Sequence, residues 1–433
     1  MEIRRDLYLE KLKAYKWNGQ VKIITGLRRC GKSYLLNPIF RNHLLAEGVP
    51  SNHILYIELD KLKDIRYRNP LELATHVRTI VATSPDPFYL FVDEIQLSDK
   101  VPNPYNPDGK EITFYDALSD LMSLSNLDIY VTGSNSKMLS SDILTEFRDR
   151  GVEIRMHPLT FSEFYAATSG DKEDAFDEYA FYGGMPLVLS RPDDAAKMAY
   201  LRELFTQVYI KDIVERKKIT RPEILSAIVD LLASSIGSLT NVSNVTNAIN
   251  TRQKLSRGSQ VSNNTVSSYI GHLEDAFLFH ECKRYDVRGK SYFDYPSKYY
   301  CEDVGLRNAR IGFRQQELTH IMENMIYNEL IARGYLVDVG VVFESTHNEK
   351  GNGRRIAREI DFVVTMGGKK TYIQSAYAMD TEDKIHTETR PFSITGDSFP
   401  KIVVRRDIRK RWYDENGILN IGIIDFLLSN DVL

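Results

Sequence analysis

The chain is 433 residues long, which at about 150 residues per domain allows two to four domains with ample length for buried cores. Hydrophobic residues at 42% and charged residues at 27% form an ordinary globular composition, which excludes wholesale disorder and a membrane bundle. Fifty-six Lys plus Arg against fifty-nine Asp plus Glu leave a formal charge of -3, so only a local basic face, not the global charge, can favour nucleic acid.

Three cysteines, Cys30, Cys282 and Cys301, are too few and too scattered for a disulfide framework or a CxxC metal site, and they fit a reducing cytoplasm. The opening MEIRRDLYLEKLK lacks the apolar core of roughly 7 to 15 residues of an export signal, and no segment approaches the roughly 20 apolar residues of a spanning helix. A cytoplasmic chain with no membrane partner is expected.

In chain order, VKIITG (21–26), HILYIELD (53–60), PFYLFVDEI (87–95), DIYVTGS (128–134) and VEIRMHPL (152–159) read as buried strands. Between them lie amphipathic stretches of helical length: Lys32 to Glu47, Leu71 to Thr83, Ile112 to Ser125 and Ser136 to Arg148. The alternation predicts right-handed crossovers and a doubly wound α/β domain on a parallel sheet. Pro38 removes a backbone donor inside the first helix and predicts a kink. Acidic and aromatic helices then surround the turn YGGMP (182–186), a boundary falls near Arg221-Pro222, and residues 221–310 read as short helices and a hairpin. Beyond Gly312, a long helix (Gln315 to Arg333), strands near 335–344, 358–365 and 371–376, a charged helix and the strand PKIVVRR form a separate α/β unit. The expected domains are 1–160, 161–220, 221–311 and 312–433.

Directly after the strand VKIIT stands Gly26-Leu27-Arg28-Arg29-Cys30-Gly31-Lys32-Ser33, which matches G-x-x-x-x-G-K-[ST] at every fixed position and in the strand-to-helix context that motif requires. The glycines permit a loop whose N–H groups encircle phosphate oxygens, Lys32 reaches the terminal phosphates, and Ser33 ligates magnesium. Gly26 through Ser33, with Tyr34, are the expected ATP contacts. The run Phe88 to Val92 leads straight into Asp93-Glu94. At the carboxyl end of a parallel strand, Asp93 would hold Mg2+ and Glu94 would orient or deprotonate the attacking water; the bland alternative is the start of a solvated loop.

The fourth strand ends in Thr132-Gly133-Ser134-Asn135, where Ser134 or Asn135 holds the water or the γ-phosphate, caps the next helix, or does both. Helix 136–148 leads to Arg148-Asp149-Arg150. Arg150 is placed to reach a neighbouring subunit's nucleotide, and equally its charge suits a helix C-terminus.

The set GLRRCGKS, FVDEIQ, VTGSNSKML and HPLTFSEF resembles the AAA+-like bacterial and archaeal ATPases that carry a PD-(D/E)XK-related domain at the C-terminus. YGGMP, a helix-turn-helix pattern around Asn264, ENMIYNEL, EIDFVV and YIQSAY continue the likeness over nearly the whole chain. The resemblance implies an α/β fold with an ASCE-type P-loop parallel sheet, a helical lid, a winged-helix domain and a C-terminal nuclease-like α/β domain. It also implies assembly into a homo-oligomer, a hexamer-type ring among the options. The loop SDKVPNPYNPDGK, between Ser98 and Glu111, is longer than the family typically shows and reads as idle surface or a partner contact.

In the middle of the chain, Val266, Ile270, Leu273 and Phe277 recur at helical spacing, while Ser262, Asn263, Asn264, Thr265 and Ser268 are candidates to enter a groove of DNA or another nucleic acid. Arg252, Lys254 and Arg257 would touch phosphates; contact with protein carries equal weight. His280, Cys282 and Cys301 lack a fourth ligand and read as structural.

A PD-(D/E)XK nuclease gathers carboxylates around a metal that activates water. Glu323 and Glu329 on the long helix, Asp361 after Arg358-Glu359-Ile360, and Gln374-Ser375-Ala376 in the final motif give a damaged version of that site. Gln374 offers a metal only a neutral carbonyl, Ala376 cannot position water as lysine would, and Lys384 is the candidate to substitute for it. The expectation is a Mg2+-dependent ATPase that moves a winged helix and an inactive nuclease-like domain on nucleic acid or in a ring. The alternatives are an ATP-assisted DNA endonuclease and a slow nucleotide switch that binds protein partners.

Overall fold

A computed structural model of the protein describes residues 3–106, 109–133, 150–255, 258–314, 317–347, 353–429 and 431–433. They divide into two compact units, Glu2–Pro158 with Asp275–Phe277, and Leu159–Glu274 with Leu278–Leu433. Among the described residues no helix is long and apolar enough to cross a membrane.

In the first unit, helix α1 (Asp6–Ala14) precedes strands β1 (Val21–Gly26), β2 (Ile54–Glu58), β3 (Phe88–Asp93), β4 (Leu127–Thr132) and β5 (Gly151–Met156). All pairings are parallel, in the order β2-β3-β4-β1-β5. Every residue of β1, β3 and β4 is buried, as expected of central strands covered on both faces. The cover on one face is α4 (Pro70–Val81) and α5 (Phe114–Leu121), whose Leu73, Val77, Leu118 and Leu121 share a core with Ile23, Leu90, Val92 and Val131. Asn69 starts α4 by accepting the Leu71 N–H at 2.9 Å ahead of Pro70, a residue suited to the first helical position because it has no N–H to satisfy. The helix after β1 begins as α2 (Lys32–Tyr34) and resumes as α3 (Arg41–Ala46). Between them Asn37 leaves helical geometry at φ -140, ψ 110, the extended conformation that proline imposes on the residue before it, so the kink expected at Pro38 is present.

Not every buried strand position is apolar. Lys22 of β1 pairs its ammonium with Asp128 of β4, which also accepts the Tyr130 hydroxyl at 2.8 Å and the Trp17 N–H at 3.1 Å. The pair survives burial because the carboxylate's remaining capacity is filled by these donors.

The second unit opens with α6 (Phe161–Ala166), started by reciprocal bonds between Thr160 and Glu163; this is the physical content of the motif HPLTFSEF. Helices α7 (Lys172–Tyr182), α8 (Asp194–Glu203), α9 (Lys211–Arg216), α10 (Pro222–Ser234), α11 (Val242–Leu255) and α12 (Asn263–Asp275) follow. Then come the hairpin β6 (Phe279–Asp286) and β7 (Ser291–Cys301), α13 (Val304–Arg310), α14 (Leu318–Ala332), β8 (Leu336–His347), β9 (Gly353–Met366) and β10 (Lys369–Ala376). The chain closes with α15 (Glu382–Ile394), β11 (Lys401–Arg405), β12 (Trp412–Tyr413), β13 (Leu419–Gly422) and α16 (Ile423–Leu428).

These strands form one eight-stranded sheet in the order β12-β13-β11-β10-β9-β8-β6-β7. The hairpin's β6 runs parallel to β8, with Arg284 opposite Val339, so the boundary expected at 311/312 passes through a single sheet. The reason is backbone satisfaction: β8 would otherwise present an unpaired edge. Helix α14 packs Ile321, Met325 and Ile326 with Phe362, Ile373 and Val404, while Phe392 of α15 packs with Ile360, Val363 and Val403.

The turn YGGMP is explained by close approach. A Cβ on Gly183 would lie 2.3 Å from Asp303 Oδ1, and one on Gly305 would lie 1.9 Å from the Tyr182 carbonyl oxygen. Asp303 caps α13 by accepting the Leu306 N–H at 2.9 Å, and also accepts the Gly184 N–H at 2.6 Å. Its complete burial pushes the carboxyl up to about 6, against the pull of those bonds.

Candidate functional site

The loop between β1 and α2 carries the phosphate-binding motif. Gly26 takes φ +130 and Gly31 φ +104, and Arg29 is also left-handed at φ 63. Gly26 is demanded by space as well, since a Cβ there would stand 2.0 Å from the carbonyl oxygen of Met156 at the end of β5. The same carbonyl accepts the Cys30 thiol at 3.5 Å, so the loop is seated on the last residue of β5, with Leu27 and Cys30 buried. Lys32 is buried and folds its ammonium onto the loop, donating to the Gly26 and Leu27 carbonyls at 2.9 Å each. Main-chain N–H groups at the start of a helical turn, one ammonium and the Ser33 hydroxyl make up a donor set suited to phosphate oxygens.

Register brings the acids to the same sheet edge. Ile24 of β1 pairs with Thr132 of β4, and Val92 of β3 pairs with Val131. Asp93 therefore stands beside Thr132, two strands or about 10 Å from Ile24. Thr132 is fully buried; its hydroxyl donates to Asp93 Oδ1 and accepts the Glu94 N–H at 3.2 Å. Tyr56 of β2 donates to Asp93 Oδ2 at 3.3 Å, and burial first, then the Asp93 charge, pushes this phenol well above its ordinary range. Glu94 is left-handed at φ 56, ψ 49, rare for a residue with a Cβ, and Gln96 donates to its carboxylate. This turn breaks the strand's two-residue alternation, leaving Asp93 in the sheet and Glu94 half-buried beyond it.

Ser134 and Asn135, like helix 136–148, lie outside the described residues. Arg150 is exposed, donates to Ser119 Oγ at 3.4 Å, and accepts the Val21 N–H on its carbonyl at 2.9 Å. It thus sits at the start of β1 and β5, whereas Gly26 pairs with Met156 at their other end. Five residues of strand separate the two ends by about 16 Å, too far for Arg150 to serve its own phosphate loop.

In the second unit, Glu323 of α14, Asp361 of β9 and Gln374 of β10 come together, and Glu329 does not join them. Glu329 binds Arg333 one turn along its helix at 2.7 Å, with burial raising its carboxyl. Lys384 is exposed and bonds Asp380 at 2.7 Å, and Ala376 is buried in an apolar cluster. The residue at the centre is Lys298 of β7. Its ammonium lies 2.8 Å from Glu323 Oε1, 2.8 Å from Glu359 Oε1 and 3.3 Å from Asp361 Oδ1. Tyr300 donates to the same Glu323 oxygen at 2.6 Å. Gln374 is committed elsewhere: it accepts the Asp361 N–H at 3.3 Å and donates to Glu388 Oε2 at 2.9 Å.

A β-bulge aims Asp361. Asp338 pairs with Val363 and Gly340 with Ile360, so two steps on β8 match three on β9, and the extra residue falls at Asp361-Phe362. Gly340 makes room for it, because a Cβ there would meet the Val363 side chain at 2.7 Å and Ile360 Cβ at 2.9 Å. Burial, then the Asp361 charge, raise Glu323 to about 7 against the pull of Lys298. For Lys298 itself burial acts downward, but the three carboxylates together outweigh it and hold the ammonium well above its usual range. Sequence reasoning passed over Lys298; its signal is a lysine among the aromatic residues of YPSKYYC.

Residues 18–165 match the family model of the AAA domain, and residues 173–317 match that of a domain of unknown function. The first unit is therefore a P-loop AAA+-like ATPase domain. An uncharacterized protein of Haemophilus influenzae is 30% identical over 440 residues, 99% of each chain, and the present protein belongs to the same family. An uncharacterized protein of Methanocaldococcus jannaschii is 24% identical over 402 residues, 88% of this chain and 79% of that one. Among solved structures, the Aeropyrum pernix ORC2 protein in ADPNP–ADP complexes overlaps with a TM-score of 0.34 at 12% identity, covering 64% of this chain and 84% of that one. The Aeropyrum pernix ORC1 protein in complex with DNA gives 0.27 at 14% identity, covering 72% and 93%.

Proposed function

We propose that the protein is a Mg2+-dependent ATP hydrolase whose nucleotide cycle drives its second unit, and that this second unit does not cut nucleic acid. The observation that carries the ATPase reading is the Thr132 hydroxyl clasping Asp93 and Glu94 level with the strand that leads into the phosphate loop. The loop N–H groups and Lys32 bind the phosphates, while Arg28, Arg29 and Tyr34 are the neighbours that contact the rest of the nucleotide. Ser33 and Asp93 would hold magnesium, which would supply charge neutralisation to the β- and γ-phosphates. Glu94 orients the attacking water and takes its proton.

The seat of the loop on Met156 supports a route for coupling. Any shift of Gly26 or Cys30 on phosphate binding presses on the end of β5, and the chain leaves the unit two residues later, at Pro158. Because β6, β7 and β8 share a sheet, the hairpin and the C-terminal strands move as one body. Arg150 acts on a neighbouring copy's nucleotide in a homo-oligomer. The exposed Ser262, Asn263, Asn264 and Ser268 at the start of α12, opposite buried Val266, Ile270 and Leu273, are the face offered to nucleic acid.

Two variants test the site together. Lys32→Ala should lose ATP binding, whereas Glu94→Gln should bind ATP and turn over about 100-fold or more slowly. Normal turnover in both would refute the assignment.

A further inference from the structure

We propose that Lys298 is the resident cation of the C-terminal carboxylate cluster, its ammonium standing in for the divalent ion that the nuclease-like pattern implies and closing the cluster to metals. The proposal deepens the reading of the second unit as non-cleaving and is independent of the ATPase site.

The residues present do not fit a metal. Glu323, Glu359 and Asp361 direct one oxygen each at a single nitrogen, at 2.8, 2.8 and 3.3 Å. An ammonium has three N–H donors; here it donates to Glu323 and Asp361 and stands in ion-pair contact with Glu359. An ion bound to the same oxygens at the about 2.0 to 2.6 Å of Mg2+ or Ca2+ would overlap the ammonium. Gln374, the position from which a further charged ligand would come, is neutral and already bonded to Glu388 and to the Asp361 backbone. Among the described residues no group of His, Cys, Asp and Glu is arranged to hold a metal ion. The Lys298 and Glu323 side chains are only 4% and 7% exposed, so bulk solvent cannot take over the ammonium's role. Removing that charge leaves three converging carboxylates with no counter-ion, a composition that a divalent ion satisfies.

The test uses the full chain without nucleotide, titrated with Mn2+ while free Mn2+ is followed by electron paramagnetic resonance and unfolding by calorimetry. In the wild type, Glu323→Gln should leave Mn2+ uptake unchanged. Lys298→Ala should take up one more Mn2+ per chain than wild type and melt higher when Mn2+ is added, and both gains should vanish when Asp361→Asn is added. Wild-type uptake abolished by Glu323→Gln, or a folded Lys298→Ala protein with no extra uptake, would overturn the proposal. If Lys298→Ala is not recovered folded even with Mn2+, the charge-balanced pair Lys298→Met and Glu323→Gln decides: a folded pair supports the counter-ion role and an unfolded one overturns it. DNA cleavage by the wild type that Asp361→Asn abolishes would sink the non-cleaving reading itself, whereas absent cleavage with no Mn2+ gain sinks this proposal alone.

Discussion

Replacing Thr132 with valine keeps the side chain's shape and removes one hydroxyl from the most buried point of the acid pair. That hydroxyl serves Asp93 Oδ1 and the Glu94 N–H, and Tyr56, at 3.3 Å from the other Asp93 oxygen, cannot reach both. A bond to a charged group contributes about 1.5 to 3 kcal/mol, and a buried donor stripped of its acceptor costs about 1 to 3 kcal/mol. Part of this is recovered by relaxation of the left-handed turn at Glu94, so a net loss of about 2 kcal/mol is the working figure. If that loss appears in the placement of Asp93 and Glu94 at the transition state, kcat falls about 30-fold. KM should change by less than about threefold, because the bonds of Lys32 and the loop do not involve Thr132. Steady-state ATP hydrolysis gives both constants, and urea unfolding gives the stability change. Thr132→Ser retains the hydroxyl and should stay within about threefold of wild type in kcat. Wild-type turnover in Thr132→Val, or equal impairment in Thr132→Ser, would show that the hydroxyl does not organise the acids.

If Arg150 acts across subunits, mixing Arg150→Ala with Lys32→Ala protein should restore hydrolysis, since one copy supplies the arginine and the other the phosphate loop; intact oligomers without restoration would exclude it. Lys22→Met leaves Asp128 buried beside Tyr130 and Trp17 without its cation, and should lower the stability of the first unit by about 3 to 5 kcal/mol in urea titrations. One contribution to the pH dependence of the second unit comes from Asp303, whose carboxyl is raised from 3.8 to about 6. A raised acid favours folding fully below its unfolded value and loses that contribution as pH climbs through the folded value, so stability should decline from about pH 4 to pH 6. Asp303→Asn, neutral throughout, should be less stable than wild type at pH 4 for the lost acceptor, and the gap should narrow toward pH 6 because the variant lacks this decline; parallel curves for the two proteins between pH 4 and pH 7 would refute the assignment.

The strands and the phosphate loop were legible in the chain because each is set by neighbours close in sequence. VKIITG, FYLFVD and LDIYVT are short, mostly apolar and β-branched or aromatic runs, and a glycine-rich turn between strand and helix can be recognised without knowing what surrounds it. The break at Pro38 was of the same local kind. Asp93 and Glu94 were found as strand-end acids, but Thr132 and Tyr56 became their partners only through strand order, which the run of apolar residues does not encode.

Lys298 is the clearest case of what only packing decided. Its partners lie 25, 61 and 63 positions away, on a helix and on a bulged strand, and Glu329, six residues from Glu323 on the same helix, faces Arg333 instead. Likewise the hairpin's place in the C-terminal sheet rests on hydrogen bonds between β6 and β8, whose residues are more than 50 positions apart. Periodicity states which face of a segment is apolar; which other segment meets that face, and in which register, is settled when every strand edge and buried charge must find a partner at once.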